Sequence, residues 1–282
     1  MREEHVDAQL QHDLRVMMQR TLQRRQALSW LLAGGSAALL IGCGGGGGED
    51  MGSPGGPGNG SGACMANATE TNGPFPSDGS NNVNGSVSNV LQESGVVRSD
   101  IRQSFGSSSG TAEGVPLTLT LKILNSNSSC AALSGYAVYA WHCTRDGMYS
   151  LYSGAVQDEN YLRGVQVSDA NGEVTFTTVF PGCYAGRYPH IHFEVYPSLS
   201  MATLSTNRVL TSQLAFERDA CNAIYQNASG YSASLNNFAG VTVASDGVFG
   251  DNSAAQMAQM TAAMTGSVAA GYTGSIVVGV PV

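Results

Sequence analysis

From Leu117 to Ile123 the chain reads LTLTLKI, with apolar and polar residues in strict alternation. Side chains change face at every residue of a strand, so this run presents one apolar face only if it is extended; a helix would scatter its leucines. VTFTTV at 174–179 repeats the pattern after the turn DANG at 169–172, and YAVYAWH at 136–142 is β-prone and aromatic. HIHFEVY at 190–196 and SIVVGV at 275–280 read as two further strands. The one good helix candidate runs from Ser253 to Met264, rich in Ala, Met and Gln. Charged residues make up only 12% of the 282, Gly numbers 36, and Lys122 is the single lysine. These observations predict an all-β fold, a β-sandwich with long loops and at most one or two short helices.

The N-terminal 63 residues stand apart from this pattern. Arg24 and Arg25 precede an apolar run from Ala27 to Ile41, too short for a comfortable membrane span and suited to a signal-peptide core. The run ends in Leu40-Ile41-Gly42-Cys43, which resembles a lipobox, with Cys43 as the acylated residue; the arginine pair resembles a twin-arginine export signal. The predicted division is therefore a signal peptide over 1–42, a Gly-rich tether over 43–63, and one folded domain over 64–282. Residues 43–282 retain 8 basic and 17 acidic residues, a net charge of −9. That balance argues against nucleic acid as a partner and leaves a lipid anchor as the only expected hold on a membrane. The expected location is the cell envelope. An exported chain permits disulfides, and the five cysteines after Cys43 (Cys64, Cys130, Cys143, Cys183, Cys221) allow at most two intramolecular bonds.

Within HIHFEVY, His190 and His192 are two residues apart, so a strand points both imidazoles the same way and Ile191 the other, into the core. Such a pair is a metal site or two histidines satisfied by hydrogen bonds. A zinc hydrolase would need a third ligand, for which His142 is the candidate. The residues that surround the pair in sequence are tyrosines, Tyr149 and Tyr184. A phenolate is a hard anionic donor and needs a strongly acidic metal to form near neutral pH, which suits Fe(III).

The ordered set WHCTRDGMYS (141–150), LRGVQ (162–166), DANGEVTFTT (169–178) and PGCYAGRYPHIH (181–192) resembles the intradiol ring-cleavage dioxygenases of the catechol 1,2- and protocatechuate 3,4- type. ETNGPF at 70–75 and TSQL at 211–214 are similar to further segments of that family. The resemblance implies non-haem Fe(III) held by Tyr149, Tyr184, His190 and His192, with Tyr149 the ligand that substrate displaces. It implies that Arg187 stabilises negative charge developing on the ring, that Gln213 supports that arginine, and that Gly73 and Pro74 line the substrate pocket. The implied reaction inserts both atoms of O2 into a small aromatic diol and yields a muconate-type diacid. The chain departs from the best-known members in the short spacing between Tyr184 and His190, in Cys183, and in having no counterpart of their helical dimerisation domain at 44–67. Two other readings stay open at this level: a non-catalytic β-sandwich binding module on the cell envelope, and a zinc hydrolase using the histidine pair.

Overall fold

The computed structural model describes residues 65–83 and 85–282. The expected signal peptide, Cys43, the tether and Cys64 lie outside the described residues. Eleven strands form: β1 (Asp78–Val83), β2 (Ser86–Asn89), β3 (Pro116–Asn125), β4 (Ala131–Ala132), β5 (Ala137–Trp141), β6 (Arg163–Val167), β7 (Glu173–Val179), β8 (His190–Tyr196), β9 (Leu210–Phe216), β10 (Thr261–Ser267) and β11 (Gly271–Val280). β1 and β2 make a separate hairpin, and the other nine make one mixed sheet in the order β4-β3-β11-β10-β9-β8-β5-β6, with β7 also on β3.

The sheet curls back on itself at β10. Thr261 and Ala262 pair with β9, and from Ala263 the same strand pairs with β11. One half-sheet (β3, β7, β11) thereby faces the other (β5, β8, β9). Leu117, Leu119, Leu121 and Ile123 of β3 share a single buried cluster with Ile191, Phe193 and Val195 of β8. Removing these apolar faces from water is the main drive for closing the sandwich. The leucines predicted to share a face do so, while Thr118 and Lys122 between them are left less buried. The mostly-β architecture agrees with the sequence reading.

Helix content is richer than the pattern suggested. Three short α-helices occur among the described residues: Arg218–Asn227, Ser232–Ala239 and Ala254–Met260. The first buries Ala220, Cys221, Ile224 and Tyr225, a spacing of one, three and four that marks one helical stripe. The third carries the predicted start, with Ser253 and Gln256 in a reciprocal capping box. It stops at Met260 rather than Met264, because Thr261 and Ala262 are drawn into pairing with β9. No helix among the described residues is long and apolar enough to cross a membrane. Cys130 is disulfide-bonded, whereas Cys143, Cys183 and Cys221 are buried free thiols, so the described cysteines form fewer bonds than the count permits.

Candidate metal centre

β8 is paired on both sides, which fixes what flanks its histidines. His192 lies in register with Trp141 of β5 and with Gln213 of β9. Directly paired residues share a face, so Trp141, His192 and Gln213 form a row across three strands. The Trp141 ring stacks on His192 at 4.9 Å with planes 7° apart, which sets the imidazole plane. His190 is opposite the small Ala215, and its ring lies 4.8 Å from that of His192.

The tyrosines arrive on loops. Tyr149 is placed by its backbone N–H donating to Ser153 Oγ, and by Arg163, which donates to Ser150 Oγ and to the Ser150 carbonyl. Tyr184 is placed by the unforeseen helix Ser232–Ala239: Ser234 Oγ accepts from the Cys183 N–H, and Asn237 donates to the Cys183 carbonyl. Gly147, at φ +84°, lets the two loops meet, since a Cβ there would lie 3.0 Å from that of Tyr184. Gly73, at φ +69°, does the same at His192, where a Cβ would come within 3.2 Å of Cε1.

Four donors converge. His190 Nδ1 is 2.6 Å from the Tyr188 carbonyl, which can only accept, so Nδ1 carries the proton and Nε2 the lone pair. That Nε2 lies 3.1 Å from Tyr184 Oη and 3.4 Å from Tyr149 Oη. His192 Nδ1 is buried with no hydrogen-bond partner. Burial, reinforced by the Arg187 charge, holds both imidazoles well below the usual histidine range, in the neutral form that ligates metals. Burial pushes Tyr184 up to about 12 and Tyr149 well above its ordinary value, against the opposing charge of Arg187. Two neutral imidazoles, one with its lone pair turned toward two phenols, suit a hard, acidic metal ion such as Fe(III). Among the described residues no group of three or more His, Cys, Asp or Glu could hold a metal, so any such centre here must draw on tyrosine.

Arg187 is 3% exposed and fully braced. Its Nη2 donates to Gln213 Oε1 at 2.6 Å, and Gln213 in turn donates to the Thr71 carbonyl at 2.8 Å. Its Nε donates to Asp246 Oδ2 at 2.9 Å. His142 is buried elsewhere: Nδ1 donates to the Cys143 carbonyl at 2.8 Å, so Nε2 accepts from Thr178 Oγ1 at 2.7 Å. Its lone pair is therefore engaged, which removes it as a third zinc ligand. Pro74 accepts from Asn81 beside the site, next to Gly73.

Three contributors escaped the sequence reading. Asp246 comes from the loop after residue 240, Phe249 lies 6.4 Å from the His190 ring, and Phe75 lies 4.9 Å from Tyr149. Phe75 was in reach, as it closes the ETNGPF segment. Asp246 and Phe249, in VASDGVF, carry no local pattern that would single them out.

Residues 96–233 match the sequence model of the Dioxygenase family. A chlorocatechol 1,2-dioxygenase of Rhodococcus opacus is 28% identical over 123 residues, 35% of this chain and 45% of that protein. The chain thus matches less than half the length of that curated relative. In three dimensions the chain is similar to an intradiol ring-cleavage dioxygenase from Tetranychus urticae, with a TM-score of 0.59 and 22% identity over 78% of this chain and 96% of that one.

Proposed function

We propose that this chain, which is similar to the intradiol ring-cleavage dioxygenases in sequence and fold, binds non-haem Fe(III) through Tyr149, Tyr184, His190 and His192 and cleaves a catechol-like diol with O2. The product is a muconate-type diacid carrying both oxygen atoms. The observation that supports this most is the approach of Tyr149 Oη and Tyr184 Oη to the unprotonated Nε2 of His190.

Bound there, the ion would supply the Lewis acidity that makes the phenols and the diol anionic. The chain's own groups do the rest. Burial disfavours the Tyr149 phenolate, so in that form its Oη would be a strong base for one diol proton. Tyr184 and the histidines are the fixed donors, held by the helix at 232–239 and by β8. Arg187, pinned along two edges by Asp246 and Gln213, offers a stationary positive charge to negative charge that develops on the ring. Gly73, Pro74 and Phe75 cover the site from the N-terminal side. We further propose that the mature protein is tethered in the cell envelope through acylated Cys43.

The test is spectroscopic and chemical together. Iron-loaded protein should show a visible tyrosinate-to-Fe(III) charge-transfer band, lost or shifted in Tyr184→Phe, and should convert catechol to a ring-opened diacid. A colourless protein that stays inactive after iron reconstitution overturns the reading. Mass spectrometry of the envelope fraction should find a lipid-modified N-terminal Cys43.

A further inference from the structure

The cation beside the site is already ion-paired. Beyond residue 25 the chain holds eight Lys and Arg residues, all among those described. Five are ion-paired with acids, Arg187 with Asp246 among them. The other three, including the buried Arg163, donate to backbone carbonyls. No uncommitted cation therefore remains among these residues to receive an anionic substituent.

The Arg187 side of the site is instead rich in carboxyls. The Asp246 side chain is 0% exposed. Its Oδ2 accepts from Arg187 Nε at 2.9 Å and from the Tyr188 N–H at 2.6 Å, and its Oδ1 accepts from the N–H groups of Val248 and Phe249 at 2.8 and 2.9 Å. The same carboxylate thus orients the arginine and turns the loop that brings the Phe249 ring 5.9 Å from the guanidinium carbon and 6.4 Å from the His190 ring. That loop continues to Asn252, which donates to Glu70 Oε1 at 2.7 Å. Asp251 and Asp246 both oppose a negative charge on Glu70, and Arg187 is the one cation that favours it. Asp246 and Asn252 both lie beyond the segment that matches the family, in a part of the chain that shapes the site from outside it.

We propose that this site selects diols without a ring carboxylate, and that Asp246 sets the selection by occupying the edge of Arg187 that a substrate carboxylate would otherwise take. A carboxylate brought to this wall would lose its hydration and meet no free cation, with fixed negative charge close by. The proposal rests on the diol-cleaving reading of the site. Asp246 acts through Arg187, so it is a positioning and specificity residue rather than a catalytic one.

The experiment compares kcat/KM for catechol and 3,4-dihydroxybenzoate in the wild type, Asp246→Asn and Glu70→Gln. The wild type should prefer catechol at least about tenfold, and Asp246→Asn should narrow that ratio by about tenfold. A purely structural Asp246 would lower both substrates together and leave the ratio unmoved, which overturns the proposal while the ring-cleavage reading stands. Should Asp246→Asn fail to fold, Glu70→Gln, which keeps an acceptor for Asn252, should narrow the ratio about threefold, and an unchanged ratio counts against the idea. If no diol is cleaved at all, the functional reading falls, and calorimetric titration with phenol and 4-hydroxybenzoate decides the charge question alone. Any result other than tighter phenol binding overturns it.

Discussion

The two halves of the sandwich differ in what covers them. β3, β7 and β11 expose alternate residues, so Thr118, Thr175 and Ser275 face water opposite a leucine-rich inner side. β5, β8 and β9 are buried at every position. Their second face is polar all the same: His190, His192, Glu194 and Gln213 lie there, each at most 2% exposed. One half-sheet solvates its polar face, and the other seals it under the loops at 70–83 and 145–162 and the segment after Asp246. Sealing a polar face costs free energy unless every group finds a partner. On this face, among the described residues, Trp141 Nε1 and His192 Nδ1 are buried without a hydrogen-bond partner.

The contrast can be broken from either side. His192→Ala should weaken iron binding by more than about a hundredfold, a floor set by what even indirect supports of a metal contribute, while thermal unfolding of the metal-free protein moves little. Retained iron in that variant would dismantle the proposed ligand set. Leu121→Ala on β3 should do the reverse. It should lose about 2–5 kcal/mol of stability in denaturant titration and keep its iron and colour below the transition. A colour loss there, with the fold intact, would show that the halves are not separable.

Glu70 sharpens the comparison through pH. Burial lifts its carboxyl from 4.5 to about 7, against the Asn252 hydrogen bond and the Arg187 charge, with Asp251 and Asp246 adding to the rise. The folded state thus favours the protonated form. Below the unfolded value both states hold the proton, and as pH climbs from about 5 to 7 only the unfolded state releases it freely. Stability should therefore fall over that window and level off above it. Glu70→Gln should lack this fall, as read by melting temperatures of the two proteins from pH 5 to 8. Parallel curves would rule out the buried carboxyl as the cause. The smallest effect belongs to the solvated half: the Lys122–Glu173 pair, 3.2 Å apart and 41% exposed on each side, should couple by no more than about 1 kcal/mol in a double-mutant cycle.

Much of this was legible in advance where a residue's partners are its own neighbours in sequence. The strand at 190–196 was bounded to the residue, because HIHFEVY has a two-residue period and turn signals on each side. Arg187 and Gln213 could be paired only by likeness to a family, and the structure joins them at 2.6 Å. The helices at 218–227 and 232–239 were missed, the second because SASLNNFA is a weak helix former whose order comes from burying Ser234 and Phe238. That omission mattered, since this helix holds the loop of Tyr184. Asp246 was invisible for a related reason: the contacts that place it at the site, to Arg187 and Tyr188, come from 59 and 58 residues away in sequence.

What the sequence determined by itself is which side chains share a face: His190 with His192, Ile191 with the core, and the leucines of β3 with one another. Backbone stereochemistry dictates this locally, and no packing can change it. Only the tertiary structure decided which polar face would be buried and by what, because that depends on loops arriving from 40 to 120 residues away, where the chain's entropy and not its local pattern is at stake. The same HxH spacing on β3 would have been a pair of solvated histidines.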